Sequence, residues 1–253
     1  MDKFVKNLAL GAGKILKDGF GKKLRITSKL ASWDLQTQYD LISEKYITEK
    51  IRKKYPNHGI VAEEGGYSKK EKDFWVIDPL DGTSAFINNI PGFCVSIAFV
   101  SDNDIKMGVI YAPMSKEMFF AEKGKGAFLN GKKISISQKK KLDQLDIYQL
   151  MHLTNTTRTE KLQLYKNIVK YKLVPRTSGG AAAMSLCFLA CGRYDAIFIK
   201  GIYPWDYAAG ALIMKEAGAK VTDFKNRSFL WDSPSIVAAN PVLHKKIMKE
   251  FKL

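Results

Sequence analysis

The order of segments predicts an α+β protein built of stacked helix and sheet layers. Three observations carry that reading. Two amphipathic helical segments open the chain, a block of β-rich runs separated by turn residues follows, and only afterwards do helices and strands mix. A simple alternating βαβ chain would interleave the two from the start.

The first helix is expected over about residues 2–17, where Phe4, Val5, Leu8, Ala9, Ala12, Ile15 and Leu16 recur at helical spacing. The second is expected over about 38–54, from Leu41, Ile42, Tyr46, Ile47 and Ile51, with Tyr55-Pro56 ending it. Phe74 to Ile77 is a short run of β-formers closing on Asp78-Pro79. Val95–Val100, Met107–Ala112 and Met118–Glu122 are three further strands, and Gly124, Gly126 and Asn130-Gly131 mark the turns of an antiparallel meander. Beyond the polar stretch Ser135–Asp143 come helices at about 159–170, 180–191 and 206–217, strands at Tyr194–Ile199 and Ile236–Ala239, and a terminal helix from His244 to Phe251. No repeat of fixed period is present.

A chain of 253 residues forms one domain with room for a large core, divided here into an N-terminal half of about 1–134 and a C-terminal half of about 135–253. No apolar stretch is long enough for a bilayer, and the opening residues lack the pattern of a secretory leader. Cys94, Cys187 and Cys191 are odd in number and spaced for neither zinc nor a disulfide framework, so they read as core thiols in a reducing cytoplasm. Lys and Arg outnumber Asp and Glu by 41 to 25, a balance that attracts anions, whether phosphorylated metabolites or nucleic acid. The run Lys139–Lys141 is short and lies in a polar connector, and no aromatic-interleaved basic motif accompanies it.

Acidic residues sit where a plain fold has no use for them. Ile60-Val61-Ala62 ends in Glu63-Glu64-Gly65-Gly66. Trp75-Val76-Ile77 ends in Asp78-Pro79-Leu80-Asp81-Gly82-Thr83. Asp206 stands at the head of an apolar helix. Carboxylates at the ends of buried strands are costly unless a cation or hydrogen-bond donors satisfy them. Oxygen ligands of this kind suit Mg²⁺, and two ions sharing them clamp both the attacking and the leaving oxygen of a phosphoryl transfer. Gly82 lets backbone approach a ligand, and a helix opening at Thr83 would hold phosphate on its free N–H groups. Gly180, Ala181 and Ala182 open another helix with small residues fit to line the same pocket.

With those residues in view, the chain resembles the inositol monophosphatase family nearly end to end. Asp34-Leu35-Gln36-Thr37-Gln38-Tyr39-Asp40 is similar to its D-x-V-T-x-x-D element, and Tyr55-Pro56-Asn57-His58 with Glu63-Glu64 to its Y-P-x-H and G-E-E elements. Trp75 to Thr83 resembles W-x-x-D-P-I/L-D-G-T, and Trp205 to Gly210 with Glu216-Ala217-Gly218 resembles W-D-x-A-A-G and E-A-G. The resemblance implies a layered α-β-α-β-α sandwich of the inositol monophosphatase and fructose-1,6-bisphosphatase type, and Mg²⁺-dependent, Li⁺-sensitive hydrolysis of a small phosphate monoester by a homodimer. It implies that Glu63, Asp78 and the Leu80 carbonyl hold one Mg²⁺, that Asp78, Asp81 and Asp206 hold a second, and that a third, weaker ion lies near Glu63, with Lys29 close by. Thr83, backed by Asp40, would orient and deprotonate the attacking water, and the Gly82 and Thr83 amides would hold phosphate.

The departures are Gln36 for valine, Ala62 for glycine and, more telling, Lys200. Members that prefer inositol carry a glutamate at that place; a lysine has no acceptor to offer a hydroxyl and favours a second anionic group. That points toward fructose 1,6-bisphosphate or a 3′(2′),5′-bisphosphorylated nucleotide as alternative substrates. His58, His152 and His244 fall in no metal or triad pattern, whereas Tyr203 and Arg176 are placed by the alignment near the pocket. A reading of another class is a basic protein that binds RNA or a ribonucleoprotein through its surface.

Overall fold

Helices and two sheets alternate in the computed structural model, which describes residues 1–29, 35–67, 71–151 and 157–251. In chain order the elements are α1 (Asp2–Gly19), β1 (Ile26–Ser28), β2 (Leu35–Thr37), α2 (Gln38–Lys54), β3 (Gly59–Ala62), β4 (Gly66–Tyr67), β5 (Asp73–Asp81), α3 (Thr83–Ile87), β6 (Cys94–Ser101), β7 (Asp104–Ala112), β8 (Glu117–Glu122), β9 (Gly126–Leu129) and β10 (Lys132–Lys133). The second half contributes β11 (Asp146–Met151), α4 (Arg158–Lys170), β12 (Val174–Pro175), α5 (Ala182–Ala190), β13 (Ala196–Lys200), α6 (Pro204–Glu216), β14 (Lys220–Thr222), β15 (Ser235–Ala239) and α7 (Pro241–Glu250).

The larger sheet runs β10-β9-β8-β7-β6-β5-β3-β4 and the smaller β12-β11-β13-β15-β14, with β1 and β2 forming a separate ribbon. Among the described residues only β3 with β5, and β11 with β12 and β13, pair in parallel.

Side-chain alternation along the strands sets the layers. On β5, Trp75 and Ile77 point to a core shared with Val5, Leu8 and Leu16 of α1 and Ile47 and Ile51 of α2. Phe74 and Val76 point the other way, to a core shared with α5 and α6. The small sheet repeats the device. Ile197 and Ile199 of β13 face α5 and α6, whereas Ala196 and Phe198 face Leu164 of α4 and Leu243 and Ile247 of α7. The result is α-β-α-β-α, the layering the family resemblance implies. Both sheets are covered on two faces, and central strands such as β6 and β13 accordingly read as near-continuous apolar runs. A closely packed interior of this kind makes truncation costly: Ile77→Ala is worth about 2–5 kcal/mol.

Close approach of α6 to the large sheet depends on Gly108 of β7. A Cβ there would stand 2.8 Å from the Ala209 carbonyl. The helix thus lies directly on the sheet, and its first turn is held at the end of β5.

Several elements differ from expectation. On α2 the buried residues are Asp40, Ser43, Glu44, Ile47 and Ile51, while Leu41 and Ile42 are 50% and 47% exposed. The inward face of that helix spends its first two turns on polar groups. α7 begins at Pro241 rather than His244, because the Asn240 side chain caps the Val242 and Leu243 amides and proline fits the first helical position. β13 starts at Ala196, two residues later than expected, and β11 and β14 were not anticipated. Among the described residues no helix is long and apolar enough to cross a membrane.

Candidate active site

A bulge in β5 builds the site. Asp78 pairs with Ser96 and Asp81 with Cys94, so three steps on β5 oppose two on β6. Residues three apart on a regular strand face opposite sides; the extra residue restores the phase and aims both aspartates at the inner helices. Pro79, which has no N–H to donate, suits the interruption. Its carbonyl accepts from Ser43 at 2.9 Å, pinning the bulge to α2. Gly82 follows with φ +93°, and a Cβ there would meet the Gly92 carbonyl at 2.9 Å, so the chain turns here only as glycine.

Four helix N-termini converge on that strand end. Asp40 is in the first turn of α2, Thr83 opens α3, Ala182 opens α5 and Asp206 is in the first turn of α6. Helix N-termini present unpaired N–H groups and a positive dipole end, and both favour anions. Asp81 exploits this directly. Its carboxylate accepts from the Ala182 and Ala183 amides at 3.2 and 2.6 Å and from the Cys94 thiol at 3.7 Å.

The remaining acids are drawn together. The charges of Glu63 and Asp206 both act on Asp78, whose Oδ1 accepts the Leu80 amide at 3.0 Å. Asp206 Oδ2 accepts the Tyr203 amide at 2.8 Å. Lys29 reaches Glu63 at 2.9 Å and Glu64 at 2.7 Å. Thr83 Oγ1 lies 2.9 Å from Asp40 Oδ1 and 3.1 Å from the Leu80 carbonyl. Asp40 is fixed in turn by the Thr37 amide and hydroxyl, at 2.7 and 2.6 Å.

Burial dominates the electrostatics. It pushes Asp78 well above the usual carboxylate range, and the charges of Glu63, Asp81 and Asp206 push it further. Asp206 is raised for the same reasons, burial first and then Asp81 and Glu63. Burial lifts Glu63 to about 7 against the opposing pull of Lys29, and lifts Asp81 to about 6 against the Ala183 and Ala182 amides. Asp40 is raised by burial too, although Thr37 and Thr83 hold it back.

This donor set fits a hard divalent cation. Every candidate ligand is an oxygen, and among the described residues the one lysine bonded to Glu63, Asp78, Asp81 or Asp206 is Lys29, at Glu63. Among the described residues no three His, Cys, Asp or Glu side chains are gathered closely enough to wrap an ion.

Of the other residues picked out from sequence, Gly180 is exposed beside the site. The Ala181 amide goes to the Gly92 carbonyl at 2.9 Å and the Ala182 amide to Asp81, so these two hold the site together and have no N–H to offer a ligand. Lys200 is paired with Glu160 of α4 at 2.5 Å, and so its charge is already answered by a neighbour. Arg176 pairs with Asp146 on the small sheet, away from the carboxylates, and Tyr203 stacks on Trp205. His58 accepts the Trp75 indole N–H and stacks between Tyr55 and Phe99, a structural role. Asp34 and His152 lie outside the described residues.

Sequence reading missed Glu44, Cys94 and Ser96. Glu44 accepts the Glu64 amide at 2.8 Å and shapes the Glu63-Glu64 turn; Ser96 holds the Trp205 carbonyl at 3.2 Å, just before Asp206. A signal for Glu44 exists: Asp40, Ser43, Glu44, Ile47 and Ile51 form one helical face, and polar residues on a buried face need partners.

Comparisons with known proteins show the family and the fold. A model described as the inositol monophosphatase family matches residues 1–252. A protein of Thermotoga maritima named fructose-1,6-bisphosphatase/inositol-1-monophosphatase is 32% identical over 237 residues, covering 94% of this chain and 90% of that protein. The Nus factor SuhB of Vibrio cholerae is 35% identical over 253 residues, covering 97% and 95%. Among solved structures, the extragenic suppressor protein suhB from Bartonella henselae superposes with a TM-score of 0.90 at 31% identity, over 99% of this chain and 97% of that one.

Proposed function

Because the chain belongs to the inositol monophosphatase family, we propose that it is a Mg²⁺-dependent phosphatase that hydrolyses a small phosphate monoester at the end of β5. One observation carries the reading: the β5 bulge turns Asp78 and Asp81 to the same side, where the charges of Glu63 and Asp206 act on Asp78. Glu63, Asp78, Asp81, Asp206 and the Leu80 carbonyl would hold Mg²⁺, which supplies positive charge against the phosphoryl oxygens and acidifies a water to a nucleophile at neutral pH.

The chain's own residues do the rest. Thr83 has one hydroxyl proton and two acceptors for it, Asp40 and the Leu80 carbonyl. Asp40, raised by burial, is suited to share that proton and leave the Thr83 oxygen free to accept from water. Water attacks phosphorus, the bond to the alcohol oxygen breaks, and a proton given up by the attacking water ends on that oxygen, leaving alcohol and phosphate. The leading amides of α3 face the phosphate as unpaired donors. The Ala182 and Ala183 amides keep the Asp81 carboxylate in one orientation throughout.

The substrate within this class is inositol monophosphate or a bisphosphate such as fructose 1,6-bisphosphate. The Glu160 pairing of Lys200 removes the main reason to favour the bisphosphate, while the Thermotoga relative is named for both. Phosphate release from inositol 1-phosphate, fructose 1,6-bisphosphate and a 3′,5′-bisphosphonucleoside, with Mg²⁺, with EDTA and with added Li⁺, tests the proposal. Release that needs Mg²⁺ and falls with Li⁺ supports it; none from any of the three overturns it. Sedimentation at equilibrium tests the homodimer that accompanies this reading.

A second role, binding a polyanion such as RNA, rests on the net charge of +16 and on a groove where Lys141, Lys246 and Lys249 meet. It calls for binding that weakens steeply with salt and survives Asp78→Asn.

A further inference from the structure

A cavity of about 660 Å³ lies between α1 and strands β7 to β9, on the outer face of the large sheet, opposite the face toward which Asp78 and Asp81 are turned. The catalytic proposal uses none of its residues. Its apolar wall is made by Leu10, Tyr111, Met118, Phe120 and Phe128. Leu10 is 44% exposed, on a helix whose other large aliphatic side chains lie buried or half-buried. The volume is that of a small-molecule site, and apolar walls with a few polar groups at the rim are the usual make-up of one.

The rim gives the ligand its charge. Asp2 pairs with Lys6 at 3.1 Å, and Lys6 also stands over the Phe120 ring at 3.9 Å. Glu122 pairs with Lys125 at 2.7 Å. Both rim acids are thus answered, and Lys116, the third rim lysine, is left without an ion-pair partner among the described residues. It stands in a turn fixed by Asn130, which accepts the Met118 amide at 2.8 Å and donates to the Lys116 carbonyl at 3.2 Å. A flat apolar body would lie against Tyr111, Met118 and Phe128, with an anionic group at Lys116.

We propose that this cavity is a binding site for a small amphipathic anion, an aromatic ring system carrying one carboxylate or sulfonate. The probe pair is 8-anilinonaphthalene-1-sulfonate and its neutral counterpart N-phenyl-1-naphthylamine, titrated by fluorescence against the full chain and two variants. Lys116→Glu reverses the rim charge left unpaired among the described residues and is expected to weaken the sulfonate about fivefold while leaving the neutral probe within about twofold. Leu10→Glu, on an exposed helix position, places charge at the apolar mouth and is expected to weaken both probes by about tenfold. Circular dichroism checks that each variant is folded, and Lys116 is on an exposed turn, so at least that arm stands. Titrations unchanged in both variants, or equal losses of the two probes in Lys116→Glu, overturn the proposal.

Discussion

Asp78 and Asp223 are both aspartates with almost no solvent exposure, 1% and 2%, and the fold treats their charges in opposite ways. Asp223 receives the Lys225 and Arg227 amides at 2.9 and 2.8 Å and the Arg227 guanidinium at 2.5 Å. Burial alone would raise it, but the Arg227 amide and guanidinium, with the Lys225 amide, outweigh burial and hold it below the ordinary carboxylate range. Asp78 is given one backbone amide and three acidic neighbours. One aspartate is neutralised by its own chain and stabilises a turn. The other is left needing a cation, and a site that needs a cation is what a metal-dependent enzyme must build.

The largest break of this comparison is Asp78→Asn. Under the proposed function it is expected to lower phosphate release by about 10³-fold, while the melting temperature in EDTA stays level or rises, since one repelling carboxyl is gone. Asp223→Asn is expected to do the reverse, costing about 1–3 kcal/mol of stability and leaving kcat unchanged. Thermal melts and initial rates on the two variants decide it; a stability loss in both would make Asp78 an ordinary structural acid.

Thr83→Ala comes next. It removes the hydroxyl poised between Asp40 and Leu80 and is expected to lower kcat by about 10²-fold with KM little changed. The half-buried hydroxyl donates to the buried Asp40, so its loss is also expected to cost about 1–3 kcal/mol of stability, which thermal melts measure apart from the rate. A rate within twofold of the parent would remove Thr83 and Asp40 from the chemistry.

The pH dependence sharpens the contrast. Glu63 and Asp81 sit at about 7 and about 6 in the folded chain, above their unfolded values near 4. In EDTA, the stability they contribute is fully present below about pH 4 and is lost as pH rises through 6 to 7, because the unfolded chain has released protons that the folded chain still holds. Asp223, held low, contributes above about pH 4 and loses that contribution on acidification. His244 acts in the same window as the site acids but with the other sign. Burial holds it at about 4, so its contribution is present above its unfolded value and lost as pH falls toward 4. The measurement is therefore a difference: the slope of melting temperature against pH from 5 to 7.5, parent minus Glu63→Gln. That difference is expected to be negative in EDTA and to shrink when Mg²⁺ is added, as the ion favours the ionised carboxylates. A slope unaltered by Glu63→Gln would mean that Glu63 is ionised throughout.

Much of this was legible in the residues because the physics is local. α2 spans 38–54 as its apolar spacing and its Tyr55-Pro56 stop predict, and the strand ending in Asp78-Pro79 is where the acids gather. What could not be read depends on contacts between remote segments. Pro79 looked like the end of a strand; in the fold β5 continues to Asp81 through a bulge, and only pairing with Ser96 and Cys94 reveals that Asp78 and Asp81 share a face. Leu41 and Ile42 looked like core because they are apolar; the face that turns inward carries Asp40, Ser43 and Glu44, because the neighbouring Thr83, Pro79 and Glu64 supply their hydrogen bonds. Strand β11 is polar enough at Asp146 and Gln149 to hide among loops, and it is specified by parallel pairing with β12 and β13.

Lys200 gives the smallest effect and the finest test. As a sequence feature it suggested a second phosphate in the substrate; in the fold its ammonium is held by Glu160, which also caps α4 through the Thr157 amide. A lysine already paired gains little by turning to a ligand, because it must first give up a charge-assisted bond. Lys200→Ala is therefore expected to change the ratio of kcat/KM for fructose 1,6-bisphosphate over inositol 1-phosphate by less than about threefold. If Lys200 read the second phosphate directly, its loss would cost that substrate about tenfold or more. Glu160→Gln separates the two cases: it frees the ammonium while keeping a capping side chain, and should move the ratio toward the bisphosphate by more than Lys200→Ala moves it away.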